Sequence, residues 1–198
     1  MPNSSISLQP KRIAFIVFND ITLLDLVGVY DPITRLKSMD YIPDLEWDIC
    51  AISEQIKDNF GFTVAVDKIK PDLSQYDTII VPGGFGTRPL KDDPDFINWI
   101  KQAEGARYKA SVCTGALLLG AAGFLEGKKA TTNRSAFDLL KPYCQEVQRE
   151  KVMEDGGVIT AGGVSSSLQL GLYLCENGPE KKLEIKSRIR WISSVSRS

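Results

Sequence analysis

Residues 110–120 read Ala110-Ser111-Val112-Cys113-Thr114-Gly115-Ala116-Leu117-Leu118-Leu119-Gly120, a run in which a buried strand passes directly into a leucine-rich helix. Cys113 occupies the corner between the two elements. A tight strand-to-helix turn holds its corner residue in a sparsely populated backbone conformation and points the side chain out of the end of the sheet. We therefore predict that Cys113 is a presented nucleophile. The alternative is a small buried side chain, which is what most free cysteines are.

The helix that follows Cys113 bears on the chemistry of the thiol. The first amide N–H groups of a helix lack intrahelical partners and carry partial positive charge. Charge of that sign favours the thiolate, so the sequence predicts a lowered pKa for Cys113. Gly115 and Ala116 are small, and we expect them to let a substrate come close to the turn.

Length and charge limit the classes of protein to which the chain can belong. It has 198 residues, 43% of them hydrophobic, which is enough for one core of good size. We predict a flexible N-terminus over residues 1–10 and a single domain over residues 11–198. The formal net charge of -1 predicts neither a nucleic-acid partner nor an anionic membrane partner. No apolar run reaches the length of a membrane span and no secretion signal is evident, so we expect a cytoplasmic protein.

Two features of composition limit the chemistry. The sequence contains no histidine, which excludes a Cys-His or Ser-His-Asp arrangement within one subunit or a symmetric homodimer. Any base must then be a carboxylate, a lysine, a tyrosine, a thiolate or water. The four cysteines form no C-x-x-C pair, which favours reduced thiols over disulfides or a zinc site. We accordingly expect no metal and no cofactor.

Asp25 is a carboxylate inside an apolar pattern, between Leu24 and Leu26. Burying a carboxylate is costly unless it is paired or protonated. If Asp25 points into a cleft, its pKa should be raised, which suits acid–base chemistry near neutral pH. The alternative is a side chain that faces solvent or caps a local turn.

Strand patterns alternate with helical patterns along the chain. This alternation predicts a doubly wound α/β fold with a mainly parallel sheet sandwiched by helices. Gly83-Gly84-Phe85-Gly86 follows the strand pattern of residues 77–82 but has neither dinucleotide-binding spacing nor a Walker lysine. We interpret these glycines as allowing a backbone N–H to approach a reacting group at the edge of the sheet.

Further local predictions are a kink or a restart of the first helix near Asp31, caused by Pro32, and a hairpin-like or edge segment over 60–67. A hairpin turn is predicted at 154–157, and helices over 92–104, 133–140, 165–176 and 181–191.

Four sequence motifs together resemble the ThiJ/PfpI group of the class I glutamine-amidotransferase-like superfamily. They are Ile79-Ile80-Val81-Pro82-Gly83-Gly84, Ser111-Val112-Cys113-Thr114-Gly115, the run from Ala121 to Thr132, and Ile159-Thr160-Ala161-Gly162-Gly163. The combination of Leu24-Asp25-Leu26 with Cys113-Thr114-Gly115 is most similar to the isonitrile hydratase branch. The same features occur in the sensing domains of AraC-type regulators.

The resemblance implies a role for each site residue. Cys113 would be the nucleophile and Asp25 the carboxyl group beside it. The peptide N–H groups of Gly84 and Thr114 would form the pocket for developing negative charge. The implied reaction converts a small isonitrile into an N-substituted formamide, and the implied assembly is a homodimer.

Two departures from the family pattern leave alternatives open. Relatives commonly carry histidine after the Thr131-Thr132 pair, where this chain has Asn133, and an aromatic residue where it has Arg134. Peptidase members place a histidine directly after the cysteine, where this chain has Thr114, so protease activity is disfavoured. Glyoxalase-type activity would need Asp25 to replace a glutamate. A non-catalytic ligand- or redox-sensing domain would use the same cysteine.

Overall fold

The computed structural model describes residues 12–176 and forms a central sheet flanked by helices. Eleven strands are present in this part of the chain: β1 (Arg12–Ile16), β2 (Glu46–Ala51), β3 (Gln55–Lys57), β4 (Thr63–Ala65), β5 (Lys68–Ile69), β6 (Thr78–Val81), β7 (Tyr108–Val112), β8 (Lys129–Ala130), β9 (Glu146–Val147), β10 (Val152–Asp155) and β11 (Val158–Ala161). The α-helices of the same residues are α1 (Leu23–Ser38), α2 (Thr87–Leu90), α3 (Pro94–Lys101), α4 (Gly115–Ala121), α5 (Phe137–Leu140) and α6 (Ser166–Glu176).

The main sheet has seven strands in the order β10-β11-β7-β6-β1-β2-β5. All neighbouring pairs are parallel except β10 with β11, which form an antiparallel hairpin. The mainly parallel α/β fold predicted from the sequence is confirmed. Strands β1, β6 and β7 are buried at nearly every position because helices cover both faces of such a sheet.

The topology places the chemistry at one edge. From β1 the chain moves to β2 on one side and later returns to β6 on the other. Ligands of open α/β sheets bind at the carboxyl ends of the strands where the order reverses in this way. The segments that follow β1, β6 and β7 contain Asp25, Gly83–Gly84 and Cys113, and all three meet at that edge.

The helix does not restart after Pro32, so that alternative of the prediction is wrong: α1 is one helix from Leu23 to Ser38. The proline is buried where α1 packs on α6, and a Cβ added to Gly171 of α6 would lie 3.0 Å from Pro32 Cγ. Packing against α6 compensates for the backbone hydrogen bond that proline cannot donate.

Other local predictions are partly correct. The hairpin is formed by β3 and β4, so it begins before residue 60. The helix expected over 92–104 ends at Lys101 and continues as a 3₁₀ turn. Asn133 caps a 3₁₀ turn that leads into α5, so the segment over 133–140 is not one regular helix. The predicted helix over 181–191 lies outside the described residues.

Candidate active site

Cys113 lies at the corner between β7 and α4, with a positive φ of 54°. A positive φ is unusual for a residue with a side chain, and its cost must be met by the surrounding structure. The Cys113 N–H donates to Ala161 O at 3.0 Å, and Thr132 Oγ1 donates to Cys113 O at 2.7 Å. The strained corner predicted from the sequence is confirmed, and hydrogen bonds on both sides of the residue stabilise it.

The Cys113 side chain is less exposed than predicted. Only 6% of the residue is accessible, because Asp25 and the following helix enclose it. It nevertheless lines a pocket, and this pocket is its route to solvent. Gly115 also differs from the expectation: a Cβ there would lie 2.1 Å from Val81 O, so this glycine lets α4 approach β6 and does not line the pocket.

Asp25 lies in the first turn of α1 and is completely buried. Its Oδ2 accepts a hydrogen bond from the Gly83 N–H at 3.1 Å, while Oδ1 has no hydrogen-bond partner among the described residues. Burial raises the pKa of this carboxyl to about 6, although the Gly83 N–H and the Cys113 side chain lower it in part. The alternative of a solvent-facing Asp25 is therefore wrong, and the raised pKa is confirmed.

The pKa of Cys113 moves in the opposite direction from the prediction. Burial first, and then the charge of Asp25, raise it to about 11. Hydrogen bonds from the Thr114 backbone and the Asn133 side chain lower it in part. The partial charge at the start of α4 does not overcome these effects, because α4 is short and the carboxylate is adjacent. At neutral pH the resting pair is a thiol beside a carboxylate, with one proton between them.

Gly83 is a site residue that the sequence reasoning did not single out. A Cβ on Gly83 would lie 2.7 Å from Cys113 Cβ, 2.7 Å from Thr114 N and 2.8 Å from Asp25 Oδ2. No side chain fits there without moving the nucleophile or the carboxylate. The glycine-rich run was the available signal, but it did not distinguish which glycine makes these contacts.

The peptide N–H of Gly84 is already engaged. It donates to Thr114 Oγ1 at 3.0 Å, and the Thr114 hydroxyl donates to Gly84 O at 3.1 Å. This reciprocal pair ties the loop after β6 to the start of α4. Of the two amides expected to face a developing charge, the one from Thr114 is directed at the sulfur and the one from Gly84 is not free.

Asn133 is a pocket residue whose amide interacts with the Cys113 side chain. Its Oδ1 accepts hydrogen bonds from Ser135 N at 3.0 Å and from Ser135 Oγ at 2.8 Å. The carbonyl end is thus occupied, and the NH₂ end remains to donate to the Cys113 sulfur. The amide can donate a hydrogen bond here, but it cannot act as an acid or a base.

The pocket above Cys113 has a volume of about 200 Å³. Cavities for drug-sized ligands are larger, about 300–1,000 Å³, so this one suits a smaller molecule. Its lining residues are Thr22, Gly84, Phe85, Arg88, Cys113, Thr114, Asn133, Ser135 and Val164.

Within residues 12–176, no cluster of acidic or cysteine side chains is arranged to hold a metal ion. No helix in that part of the chain combines the length and apolar character needed to cross a bilayer. All four cysteines are free thiols.

Comparison with known proteins identifies the family of the chain. The sequence model that describes the DJ-1/PfpI family matches residues 11–177, which is most of the chain. The chain belongs to the DJ-1/PfpI family. Isonitrile hydratase from Pseudomonas putida is 35% identical to it over 167 residues, which are 83% of this chain and 71% of that protein.

Other DJ-1/PfpI relatives agree in fold. A ThiJ/PfpI family protein from Pseudomonas syringae superposes with a TM-score of 0.81 and 25% identity, over 100% of this chain and 83% of that one. An HTH-type transcriptional regulator from Mycobacterium tuberculosis is 46% identical over 50 residues, which are only 25% of this chain and 19% of the regulator.

Proposed function

We propose that this DJ-1/PfpI protein is a cysteine-dependent hydratase of small isonitriles, with Cys113 as nucleophile and Asp25 as acid and base. The observation that carries the proposal is the buried pair of Cys113 and Asp25, which holds one proton at neutral pH. The identity to an isonitrile hydratase over most of the chain supports it independently.

The first half of the reaction adds S–H across the terminal carbon of the isonitrile. Asp25, with its unpartnered Oδ1, takes the thiol proton while Cys113 Sγ forms a bond to the carbon. The protonated Asp25 then delivers the same proton to that carbon, which gives a thioimidate, R–N=CH–S–Cys113. The raised pKa of Asp25, about 6, suits both transfers near neutral pH.

The second half consumes water. The oxygen of a water molecule bonds to the thioimidate carbon while Asp25 takes one proton from that water. Asp25 then passes the proton to the thioimidate nitrogen. The C–S bond then breaks with its electron pair going to sulfur, which recovers the hydroxyl proton through Asp25. The product is R–NH–CHO, so one water is consumed and the enzyme is regenerated.

A sensing role is the second candidate, because the regulator relative matches part of this chain at high identity. A redox sensor needs an accessible thiolate. The raised pKa of Cys113 and its burial favour catalysis over sensing.

The proposal is tested with purified protein and a set of alkyl and aryl isonitriles, with formamide measured by chromatography. We expect turnover by the wild type and a loss of at least about a thousandfold in Cys113→Ala. Cys144→Ala is the matched control, since this half-buried thiol lies outside the pocket and should retain full activity.

Two results would refute the hydratase. One is no formamide from any isonitrile, with peroxide converting Cys113 to a sulfinic acid, which favours the sensor. The other is unchanged turnover in Cys113→Ala.

A homodimer and a cytoplasmic location are part of the same proposal. Leu24 and Val27 on α1 are 59% and 51% exposed and lie one turn apart, as expected for a face that a second copy covers. Four free thiols suit a reducing compartment. Sedimentation equilibrium measures the mass, and a monomer at micromolar concentration would contradict the dimer.

A further inference from the structure

The pocket above Cys113 has one charged lining residue, Arg88 on α2. Its guanidinium stacks over the Phe85 ring, 5.1 Å from the centroid. Within residues 12–176, no carboxylate forms a salt bridge with Arg88. A guanidinium has five N–H donors, and each needs an acceptor. With no carboxylate paired to Arg88, water or a ligand can supply these acceptors.

The other polar groups of the pocket add donors and no negative charge. Asn133 presents its NH₂ end because Ser135 occupies its carbonyl oxygen. Thr114 has its hydroxyl engaged with Gly84. The carboxylate of Asp25 lies behind Cys113 and is not part of the lining.

The small volume of the pocket brings these polar groups close to the reacting sulfur of Cys113. Cys113, Phe85 and Arg88 line the same pocket of about 200 Å³, so a small molecule bonded to Cys113 shares this space with the guanidinium. Phe85 is 67% exposed, and the guanidinium lies over its ring. Arginine forms paired hydrogen bonds with carboxylates in this kind of planar arrangement.

We propose that Arg88 selects isonitriles that carry a carboxylate, binding that carboxylate while Cys113 attacks the isonitrile carbon. This inference rests on the proposed hydratase and names its substrate class. The small volume of the pocket, about 200 Å³, favours a carboxylate one or two carbons from the nitrogen, as in isocyanoacetate.

The experiment compares isocyanoacetate with isocyanoacetamide, which has the same shape and no charge. We expect wild-type kcat/KM to favour isocyanoacetate by about tenfold or more, mostly through KM, and this preference to weaken as salt is added. Arg88→Gln should reduce the ratio of the two kcat/KM values to near one.

Arg107→Gln is the matched control. Arg107 also stacks on an aromatic ring, Tyr108, at 4.9 Å, but it precedes β7 and so lies at the opposite end of the strand from Cys113. This variant removes the same charge from an equivalent stack and should keep the wild-type ratio. A ratio near one in the wild type, or one that Arg88→Gln leaves unchanged, would overturn the inference while the hydratase stands.

A binding measurement separates the two proposals if neither isonitrile reacts. Calorimetry with the products, N-formylglycine and N-formylglycinamide, does not depend on turnover. Tighter binding of N-formylglycine that is lost in Arg88→Gln would support the carboxylate site even if the hydratase fails. Equal binding of the two compounds, or no binding of either, would refute it.

Discussion

Cys113 and Asp25 titrate as one unit, because each group changes the pKa of the other. In the proposed reaction, the active form of the pair contains one proton, on either the sulfur or the carboxylate. Macroscopic pKa values of such a pair belong to the pair and not to either residue. The site thus stores a nucleophile and a proton donor together, without an imidazole.

The first prediction is a bell-shaped dependence of kcat/KM on pH. Below about 6 both groups are protonated and Asp25 cannot take the thiol proton. Above about 11 both are ionised and no proton remains for the substrate carbon. Rates across this range measure the two limbs. A single rise near the ordinary thiol value, unaltered in Asp25→Asn, would contradict a coupled pair.

The second prediction concerns stability. The folded-state pKa of Asp25 is raised from 3.8 to about 6, so the native state binds more protons than the unfolded state between these values. The free energy of unfolding therefore falls as pH rises through this window. Asp25→Asn removes the cost and should stabilise the protein by about 3 kcal/mol at neutral pH, with little effect below pH 3.8.

Urea unfolding at neutral pH and below pH 3.8 tests this prediction. Asp138→Asn is the control, because Asp138 is exposed and paired with Lys141. Equal stability of wild type and Asp25→Asn at neutral pH would count against a buried, ionised carboxylate.

The third prediction isolates Asn133. Removing its amide in Asn133→Ala deletes a donor to the Cys113 sulfur, so the pKa of that thiol should rise further. Alkylation of Cys113 by iodoacetamide, followed by mass spectrometry, should become slower at each pH below the new pKa. Asn59→Ala is the control, since Asn59 donates to Asp20 outside the pocket. An unchanged alkylation rate in Asn133→Ala would show that the Asn133 amide does not lower the pKa of the Cys113 thiol.

At the scale of elements, the pairing of α1 with α6 sets the position of Asp25. A Cβ on Gly28 of α1 would lie 2.0 Å from Ser167 Oγ and 2.7 Å from Ser167 Cβ of α6, so the Ser167 side chain occupies the space that Gly28 leaves open. Asp25 lies one turn before Gly28 on α1. A small displacement of α1 at this contact would therefore move the carboxylate relative to the sulfur.

The fourth prediction follows from this contact. Gly28→Ala should destabilise the fold by about 1–3 kcal/mol, as overpacking generally does, and should lower kcat more than it raises KM. Gly105→Ala is the control, because no atom lies within 4 Å of its added Cβ. Unfolding curves and steady-state kinetics on both variants provide the measurements. If Gly28→Ala is as stable as the wild type, the prediction is wrong and Ser167 can move away from the added Cβ at no cost.

At the scale of the whole molecule, the sequence predicts the sheet better than the chemistry. Apolar runs such as 13–18 and 78–81 are local patterns, and a buried parallel strand needs little else. The corner at Cys113 is also a local signal. The protonation of the site is not, because Asp25 meets Gly83 across 58 residues of sequence and the burial of both side chains depends on the assembled fold.

The errors share this cause. The sequence of α4 alone predicts a lowered thiol pKa, but burial and then the adjacent carboxylate raise it. Pro32 predicts a kink or a restart of the first helix, but α1 continues as one helix and α6 packs against the proline. Gly115 was assigned to substrate approach, whereas the backbone of β6 occupies that side. In each case a distant segment of the chain decided the outcome.

The hydrogen bonds on either side of the nucleophile's peptide have a consequence for biosynthesis. Cys113 is fixed through its N–H by Ala161 and through its carbonyl by Thr132, and both partners leave the ribosome after it. A nascent chain that has not yet released residue 161 lacks one of these two supports. We therefore expect the positive-φ corner at Cys113 to gain its second support only after residue 161 has left the ribosome.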